Sequence, residues 1–305
     1  MCAATDPSEV GASLGDPAVP VPELVPVPET VPVAAEVITS RRNPLVGRLR
    51  SLHDARGRRQ SRQLLLEGTH LIEEMLRLGL EPDLLVATPA WIARHPHLLA
   101  ALPAATALRA MAAEVLEAAA TTRSPDGVLA VLPTPEPKPA APACFVLALD
   151  RLQDPGNLGT LLRTALAAGV EEVWLGEGAD PHQPKVLRSS SGAVLALPLI
   201  RLEAAELAVR LDRARRSGLQ VVAAVLPSPA WPHPPPYWRH DWTRPTVLLL
   251  GNEGAGVDPG LLEPGDAVVT IPHSPAVESL NVGVAAAPLL LERWRQAAGG
   301  GVAGS

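Results

Sequence analysis

The sequence predicts an α/β protein built from two domains of unequal size. Three observations support this. Short apolar runs rich in Val, Leu and Ala alternate with stretches of helical period along most of the 305 residues. That alternation is the pattern of a mostly parallel sheet covered on both faces. A proline-rich stretch, Pro133 to Pro142, interrupts it once. Two apolar runs also stop, at Gly251 and at Ile271-Pro272, and Glu278-Ser279-Leu280-Asn281 then opens a long helical pattern. The expected boundaries are a disordered acidic tail at 1–40, a smaller α/β domain at 41–132, a linker at 133–143, a larger domain at 144–297 and a short tail at 298–305.

In the first domain, Gln63 to Glu67 reads as a strand ending at Gly68. Thr69 is the expected cap of a helix carrying Leu71, Ile72, Met75 and Leu76 on one face. Leu84 to Ala87 is a second strand, a helix follows at about 111–119, and Gly127 to Leu132 is the closing strand. In the second domain the expected order is a strand at Phe145 to Asp150 and a helix from about Leu158 to Ala168, with Asn157 as its cap. A strand follows at Glu172 to Leu175, then a short helix at Pro184 to Ser191. Leu197 to Arg201 is the next strand, Glu203 to Ser217 a helix, and Gln220 to Leu226 a strand. A Pro/Trp-rich insertion, Pro227 to Pro245, precedes strands at 246–250 and 267–271 and a long C-terminal helix opened by Glu278-Ser279-Leu280-Asn281.

Composition excludes several classes. With 47% hydrophobic and 19% charged residues the chain reads as globular. No apolar run approaches the roughly 20 residues that span a bilayer, so no membrane association is expected. The start has neither a basic segment nor an apolar core of a secretory signal. The two cysteines, Cys2 and Cys144, form no metal-ligand spacing and no metal site is expected. The expected location is the cytoplasm. The net charge of −6 conceals an uneven distribution. Six of the 32 acids lie in residues 1–40, which carry no Lys or Arg; the remaining 26 equal the 26 bases. Residues 41–62 then hold eight arginines, Arg41, Arg42, Arg48, Arg50, Arg56, Arg58, Arg59 and Arg62, against Asp54 alone. Such a block is either an electrostatic footprint for phosphates or the solvated face of a helix.

Two motifs in the second domain carry chemistry. Gly251-Asn-Glu-Gly-Ala-Gly256 follows an apolar run, but Val257 and Asp258 stand where a phosphate loop needs Lys and Ser/Thr. Its glycine order, with Pro259 close behind, also fails the dinucleotide fingerprint, which excludes a nicotinamide-dependent oxidoreductase. A plain turn remains open for this segment alone. Asp154-Pro-Gly-Asn-Leu-Gly-Thr-Leu-Leu-Arg163 lies at another strand-to-helix junction, with Arg163 one turn beyond Gly159. Taken together, Asn157-x-Gly159-x-x-x-Arg163-x-Ala165, Gly251-Asn252-Glu253-Gly254-x-Gly256 and Ile271-Pro272…Glu278-Ser279-Leu280-Asn281-Val282 resemble the three motifs of the SpoU/TrmH family of RNA ribose 2′-O-methyltransferases, within the SPOUT superfamily. Lys185 to Ala193 is similar to that family's central segment. Leu65-Leu-Glu-Gly68 and Ser124 to Ala130 resemble the ribosomal-protein-like substrate-binding domain that many members carry.

The resemblance implies a trefoil-knotted methyltransferase domain behind a smaller N-terminal substrate-binding domain, and a homodimer contacting through the knot helices. It implies S-adenosylmethionine as cofactor, held by backbone around Leu250, Gly251, Asn252, Gly256, Ile271, Pro272 and Leu280. Glycine would there remove a side chain where the cofactor meets backbone. The catalytic group implied is Arg163 with Asn157, Glu253, Ser279 and Asn281, although Ser279 and Asn281 also suit helix capping. A guanidinium does not deprotonate in proteins, so Arg163 is expected to clamp phosphate or the developing alkoxide. Pro275 and Gly283 depart from the family's usual residues without removing a chemical group. The arginines Arg41, Arg42, Arg48, Arg58, Arg59 and Arg62 are expected to meet RNA, with ribosomal RNA favoured over transfer RNA. The alternatives are a tRNA 2′-O-methyltransferase and a non-catalytic RNA-binding protein that kept the fold.

Overall fold

The computed structural model describes residues 36–136 and 143–299. Most of the acidic tail, the middle of the linker and the last six residues lie outside the described residues. The chain divides into two units, and the division does not follow sequence order. Among the described residues the N-terminal unit comprises 36–136 together with 180–195, and the C-terminal unit the rest. The segment 180–195, expected within the second domain, is thus grouped with the first.

The N-terminal unit opens with Ile38, whose N–H donates to the Ala110 carbonyl (3.0 Å) while its own carbonyl accepts from Ala112 N (2.9 Å). Ile38, which precedes the expected boundary at 41, therefore belongs to this unit, because its backbone groups find partners beside a sheet edge. Asn43 caps helix α1 (Pro44–Ser51) through Leu45 N at 2.9 Å, with Pro44 in the first turn. α2 is Ala55–Ser61. β1 (Gln63–Glu67), β2 (Leu84–Ala87), β3 (Ala107–Ala110) and β4 (Val128–Pro133) form a mixed sheet in the order β1-β4-β2-β3. β4 runs antiparallel to both β1 and β2, and β2 pairs parallel to β3. α3 (Thr69–Arg77) follows β1; α4 (Pro89–Arg94) and α5 (Pro96–Ala100) join β2 to β3; α6 (Ala113–Ala119) follows β3. Thr69 is not a cap: Gly68 occupies that position, and the Thr69 hydroxyl accepts from the Trp91 indole at 2.9 Å. Val46, Leu49, Leu65, Val86, Met111, Leu116 and Val131 form one core. α8 (Pro184–Ser189) belongs to this unit.

The C-terminal unit is built on six parallel strands: β5 (Phe145–Leu149), β6 (Glu172–Leu175), β7 (Leu199–Arg201), β8 (Gln220–Ala224), β9 (Thr246–Leu250) and β10 (Ala267–Val269). Their order is β10-β8-β9-β5-β6-β7. The central pair, with Leu147 opposite Leu248, is buried along its whole length, as expected of a sheet covered on both faces. On one face Val146, Ala148, Val247 and Leu249 pack with Leu207 and Leu211 of α10 (Ala204–Arg216). α7 (Pro155–Ala167) packs against α11 (Val282–Gly299), which buries Leu158, Leu161, Leu162, Ala286, Leu289 and Leu290. α9 (Ala193–Ala196), whose first three residues are grouped with the N-terminal unit, is a single turn before β7. The cap of α7 is Asp154, which accepts from Asn157 N at 2.8 Å. Asn157 therefore sits inside the first turn rather than at the cap, leaving its amide free for other work. α11 extends two residues past the expected 297.

The Pro/Trp segment after β8 is part of the body. Trp242 is fully buried, its backbone N–H donating to Gln296 Oε1 at 2.9 Å. Tyr237 N donates to the Thr270 carbonyl and Thr270 N to the Pro235 carbonyl, both at 2.9 Å, extending the β10 edge by one bridge.

Candidate active site

In an open parallel sheet the strand order places chain turns at the carboxyl ends of the strands, which is where ligands bind. Here a cavity of about 570 Å3 opens at the carboxyl ends of β8, β9 and β10 and reaches the start of α7. Asn157, Leu250, Gly251, Asn252, Glu253, Gly256, Ile271, Ser279, Leu280 and Asn281 all line it. The three motifs, the first of which lies more than eighty residues before the other two in sequence, thus meet at one place. Pro272 and Arg163 do not line it among the described residues.

The glycine motif folds on itself. Asn252 N donates to the Gly256 carbonyl (3.0 Å) and Gly256 N to the Asn252 carbonyl (2.9 Å). The Asn252 side-chain oxygen accepts from Gly254 N (2.9 Å) and Ala255 N (3.0 Å), and its amide donates to the Arg151 carbonyl at 2.8 Å. A Cβ on Gly251 would lie 2.0 Å from Gly256 C and 2.1 Å from Val257 N. Glycine is required there because the loop's own backbone passes through that space, a reason different from the expected close approach of a cofactor. Gly256 has φ +70°, the left-handed region that glycine enters without cost. The Asn252 side chain is wholly engaged in building the loop.

Around this loop Glu253, Asn157 and Asn281 form a chain of hydrogen bonds. The Glu253 carboxylate accepts from Asp154 N (3.0 Å), Gln153 N (3.1 Å) and the Asn157 amide (3.2 Å). The Asn157 oxygen accepts from the Asn281 amide at 2.8 Å, and the Asn281 oxygen caps α11 through Gly283 N at 2.9 Å. Partial burial would raise the Glu253 pKa, but the backbone donors of Asp154 and Gln153 and the Asn157 amide outweigh it and hold the carboxyl below its ordinary value of 4.5. Asn281 thus caps α11, as expected of it, and also lines the cavity. Ser279 is exposed on the cavity rim. At Gly283 a Cβ would press within 3.3 Å of Thr160, so glycine suits the close crossing of α7 and α11.

Arg163 is exposed on α7 and has no hydrogen-bond or ion-pair partner among the described residues. It stands six residues beyond Asn157, roughly 9 Å along the helix axis. Its guanidinium is free to meet a ligand arriving from solution. The sequence did not single out Ala224, Val225, Leu226, Ser228, Trp231 and His273, which also line the cavity. The residues after β8 were open to inference, since that strand end faces the same edge as β9. The placement of Trp231 depends on how the following loop closes.

The arginine block is divided by the N-terminal unit. Arg58 is only 5% exposed. Its guanidinium donates to the Leu52 and His53 carbonyls and pairs with Asp180 at 2.6 Å. Its expected RNA contact is therefore withdrawn: one turn of α2 faces the protein, and a buried arginine must be paired. Arg41, Arg42, Arg48, Arg59 and Arg62 are exposed, as are Arg50 and Arg56. In the same unit Glu67 is buried and accepts from the backbone and hydroxyls of Thr121 and Thr122, with Arg188 at 3.6 Å.

Residues 144–291 match the model of the SpoU rRNA methylase family, and residues 43–130 that of the MRM3-like substrate-binding domain. The chain is 42% identical to an uncharacterized tRNA/rRNA methyltransferase of Synechocystis sp. over 264 residues, covering 85% of this chain and 93% of the relative. It is 36% identical to the 23S rRNA (guanosine(2553)-2′-O)-methyltransferase RlmP of Bacillus subtilis, covering 83% and 97%. The structure of an AdoMet-bound rRNA methyltransferase from Sinorhizobium meliloti superposes with a TM-score of 0.72 at 30% identity, covering 86% of this chain and 98% of that one. The resemblance carried by the three motifs is borne out: this chain belongs to the SpoU rRNA methylase family, with an MRM3-like substrate-binding domain ahead of the methyltransferase domain.

Proposed function

We propose that the cavity seats the family's reaction, S-adenosylmethionine-dependent methyl transfer to a ribose 2′-hydroxyl, with ribosomal RNA as substrate. The observation that carries this is the bonded chain Glu253–Asn157–Asn281 at one end of a cavity whose lining, among the described residues, contains Glu253 and Glu278 but no Lys or Arg. Such a lining suits a sulfonium cation and is wrong for a polyphosphate. The cofactor, bound there, supplies an electrophilic methyl group. Backbone at Leu250, Gly251, Asn252, Gly256, Ile271 and Leu280 would hold it, with Pro272 stiffening the turn after Ile271.

The protein's own part is orientation. Glu253 is occupied by three donors and held ionised, so it positions Asn157 rather than taking a proton. Asn157 and Asn281, locked by each other, and Ser279 on the rim present polar groups to the ribose. Arg163 clamps phosphate or the developing alkoxide, because a guanidinium is a donor of hydrogen bonds and not an acceptor of protons. The exposed arginines Arg41, Arg42, Arg48, Arg59 and Arg62 meet RNA phosphates, and the substrate is read largely by shape. The threading of the C-terminal segment is the family's trefoil knot, a rare exception to unknotted chains. α11 exposes Val284, Leu291 and Trp294, and α7 exposes Leu166; burying these side chains against a second copy is the reading we favour for a homodimer. The cytoplasm is the expected place of work, and among the described residues no helix is long and apolar enough to cross a membrane.

Arg163→Ala is expected to abolish methylation while leaving affinity for S-adenosylhomocysteine near that of the unaltered protein; unchanged turnover refutes its role. Mapping 2′-O-methyl groups in a strain lacking the gene should show one ribosomal position lost. A loss confined to transfer RNA would favour the alternative substrate.

A further inference from the structure

The cavity has two chemically different ends. The strand order β10-β8-β9-β5 places Asn157, which follows β5, at one side. The residues after β8 and β10 lie at the other, where Ala224, Val225, Leu226, Ile271 and Trp231 make an apolar lining. Trp231 comes from the Pro/Trp segment, outside all three family motifs. Its position is built: Ser228 and Trp231 exchange backbone hydrogen bonds at 3.0 Å in both directions, and the Ser228 hydroxyl accepts from Trp231 N at 3.3 Å. Pro227, Pro229 and Pro232 flank this turn, which limits the freedom of the unfolded segment. The side chain packs half-buried against the core cluster of β8 and β9, and its indole N–H has no partner among the described residues.

The geometry points to Trp231 as the residue that receives the adenine ring of the cofactor, by contact of the two flat faces. This rests on the siting of S-adenosylmethionine in this cavity. The sulfonium must lie at the Asn157–Glu253 end for its methyl to reach a ribose, so the base, the flat apolar part of the molecule, falls at the other. An indole offers the largest π-face for such a contact, and aromatic–base stacking is tolerant of in-plane position. Prolines on both sides hold the ring in place before the ligand arrives, which lowers the ordering cost of binding.

The test measures S-adenosylhomocysteine binding to the full chain by calorimetry and tryptophan emission. Trp231→Ala is expected to weaken binding roughly tenfold, the scale of a lost aromatic–base stack, and Trp231→Phe by no more than about threefold. The six tryptophans make emission usable: ligand should quench the unaltered protein and Trp231→Phe much less. A merely structural role would leave the quench intact in Trp231→Phe. Ser279→Trp, which fills the opposite end, is expected to abolish binding. Loss with Ser279→Trp but none with Trp231→Ala, or an undiminished quench in Trp231→Phe, overturns the assignment of Trp231 alone. Unaltered binding in both Ser279→Trp and Trp231→Ala overturns the siting of the cofactor.

Discussion

Replacing Gly251 with alanine tests why the motif's first glycine is there. The added Cβ would stand 2.0 Å from Gly256 C, 2.1 Å from Val257 N and 2.2 Å from Gly256 O. All three are backbone atoms, so no side chain can swing aside. To reach even a tight 3.0 Å contact the Gly256–Val257 peptide must move by about 1 Å. That displacement breaks the paired Asn252–Gly256 hydrogen bonds of 3.0 and 2.9 Å. Two hydrogen bonds at about 0.5–1.5 kcal/mol each, with overpacking strain of about 1–3 kcal/mol, give a loss of roughly 3 kcal/mol. For a unit of this size that corresponds to a fall in melting temperature of roughly 6–12 °C. The measurement is thermal unfolding of the ligand-free protein, alongside calorimetric titration with S-adenosylhomocysteine. Both stability and affinity should fall. An unchanged melting temperature with affinity alone lost would refute the reasoning, since glycine would then be required only by the ligand.

Arg58→Ala and Arg59→Ala should separate two roles that the arginine block joins in sequence. Removing Arg58 leaves Asp180 and two carbonyls without their partner and should cost about 3–5 kcal/mol of stability; an unchanged urea midpoint would refute its structural role. Arg59→Ala should leave stability within about 0.5 kcal/mol while weakening RNA binding and reducing its salt slope by about 0.7. In acid, Glu67 is the group to follow. Burial alone would raise its pKa, but the hydroxyls and N–H groups of Thr121 and Thr122 outweigh that and lower it below 4.5. A depressed folded pKa means the contribution is complete above about 4.5 and is lost as pH falls below it. Glu67→Gln should therefore flatten the acid limb of a stability–pH curve. Parallel acid limbs for the two proteins would refute it.

Much of the C-terminal unit was legible because its strands are buried on both faces. Such strands must be continuous apolar runs, and Phe145 to Leu149 and Thr246 to Leu250 appear as such. The helices Pro89–Arg94 and Pro96–Ala100 and the strand Ala107–Ala110 were not anticipated. They are five or six residues or fewer, too short for a helical or strand period to register against background. The starting residue of α7 was misplaced because Asp154 and Asn157 are both competent caps. The Pro155 between them, favoured in a first helical turn, decides for Asp154. At the site, Asn157, Glu253 and Asn281 were identified as residues, but their mutual hydrogen bonds were not, since no sequence spacing encodes a contact across roughly a hundred residues.

The sequence by itself determined the family, the parallel sheet and the residue types that gather at its carboxyl edge. These depend on local patterns: apolar runs, strand-end glycines and the order of motifs. Only the tertiary structure decided that Gly251 yields to its own loop, that Arg58 turns inward to Asp180, that 180–195 joins the N-terminal unit and that Trp231 walls the cavity. Each of these depends on which atoms share a space after the chain has closed. An exposed arginine and a buried one are the same letter until a neighbour such as Asp180 is brought within 2.6 Å.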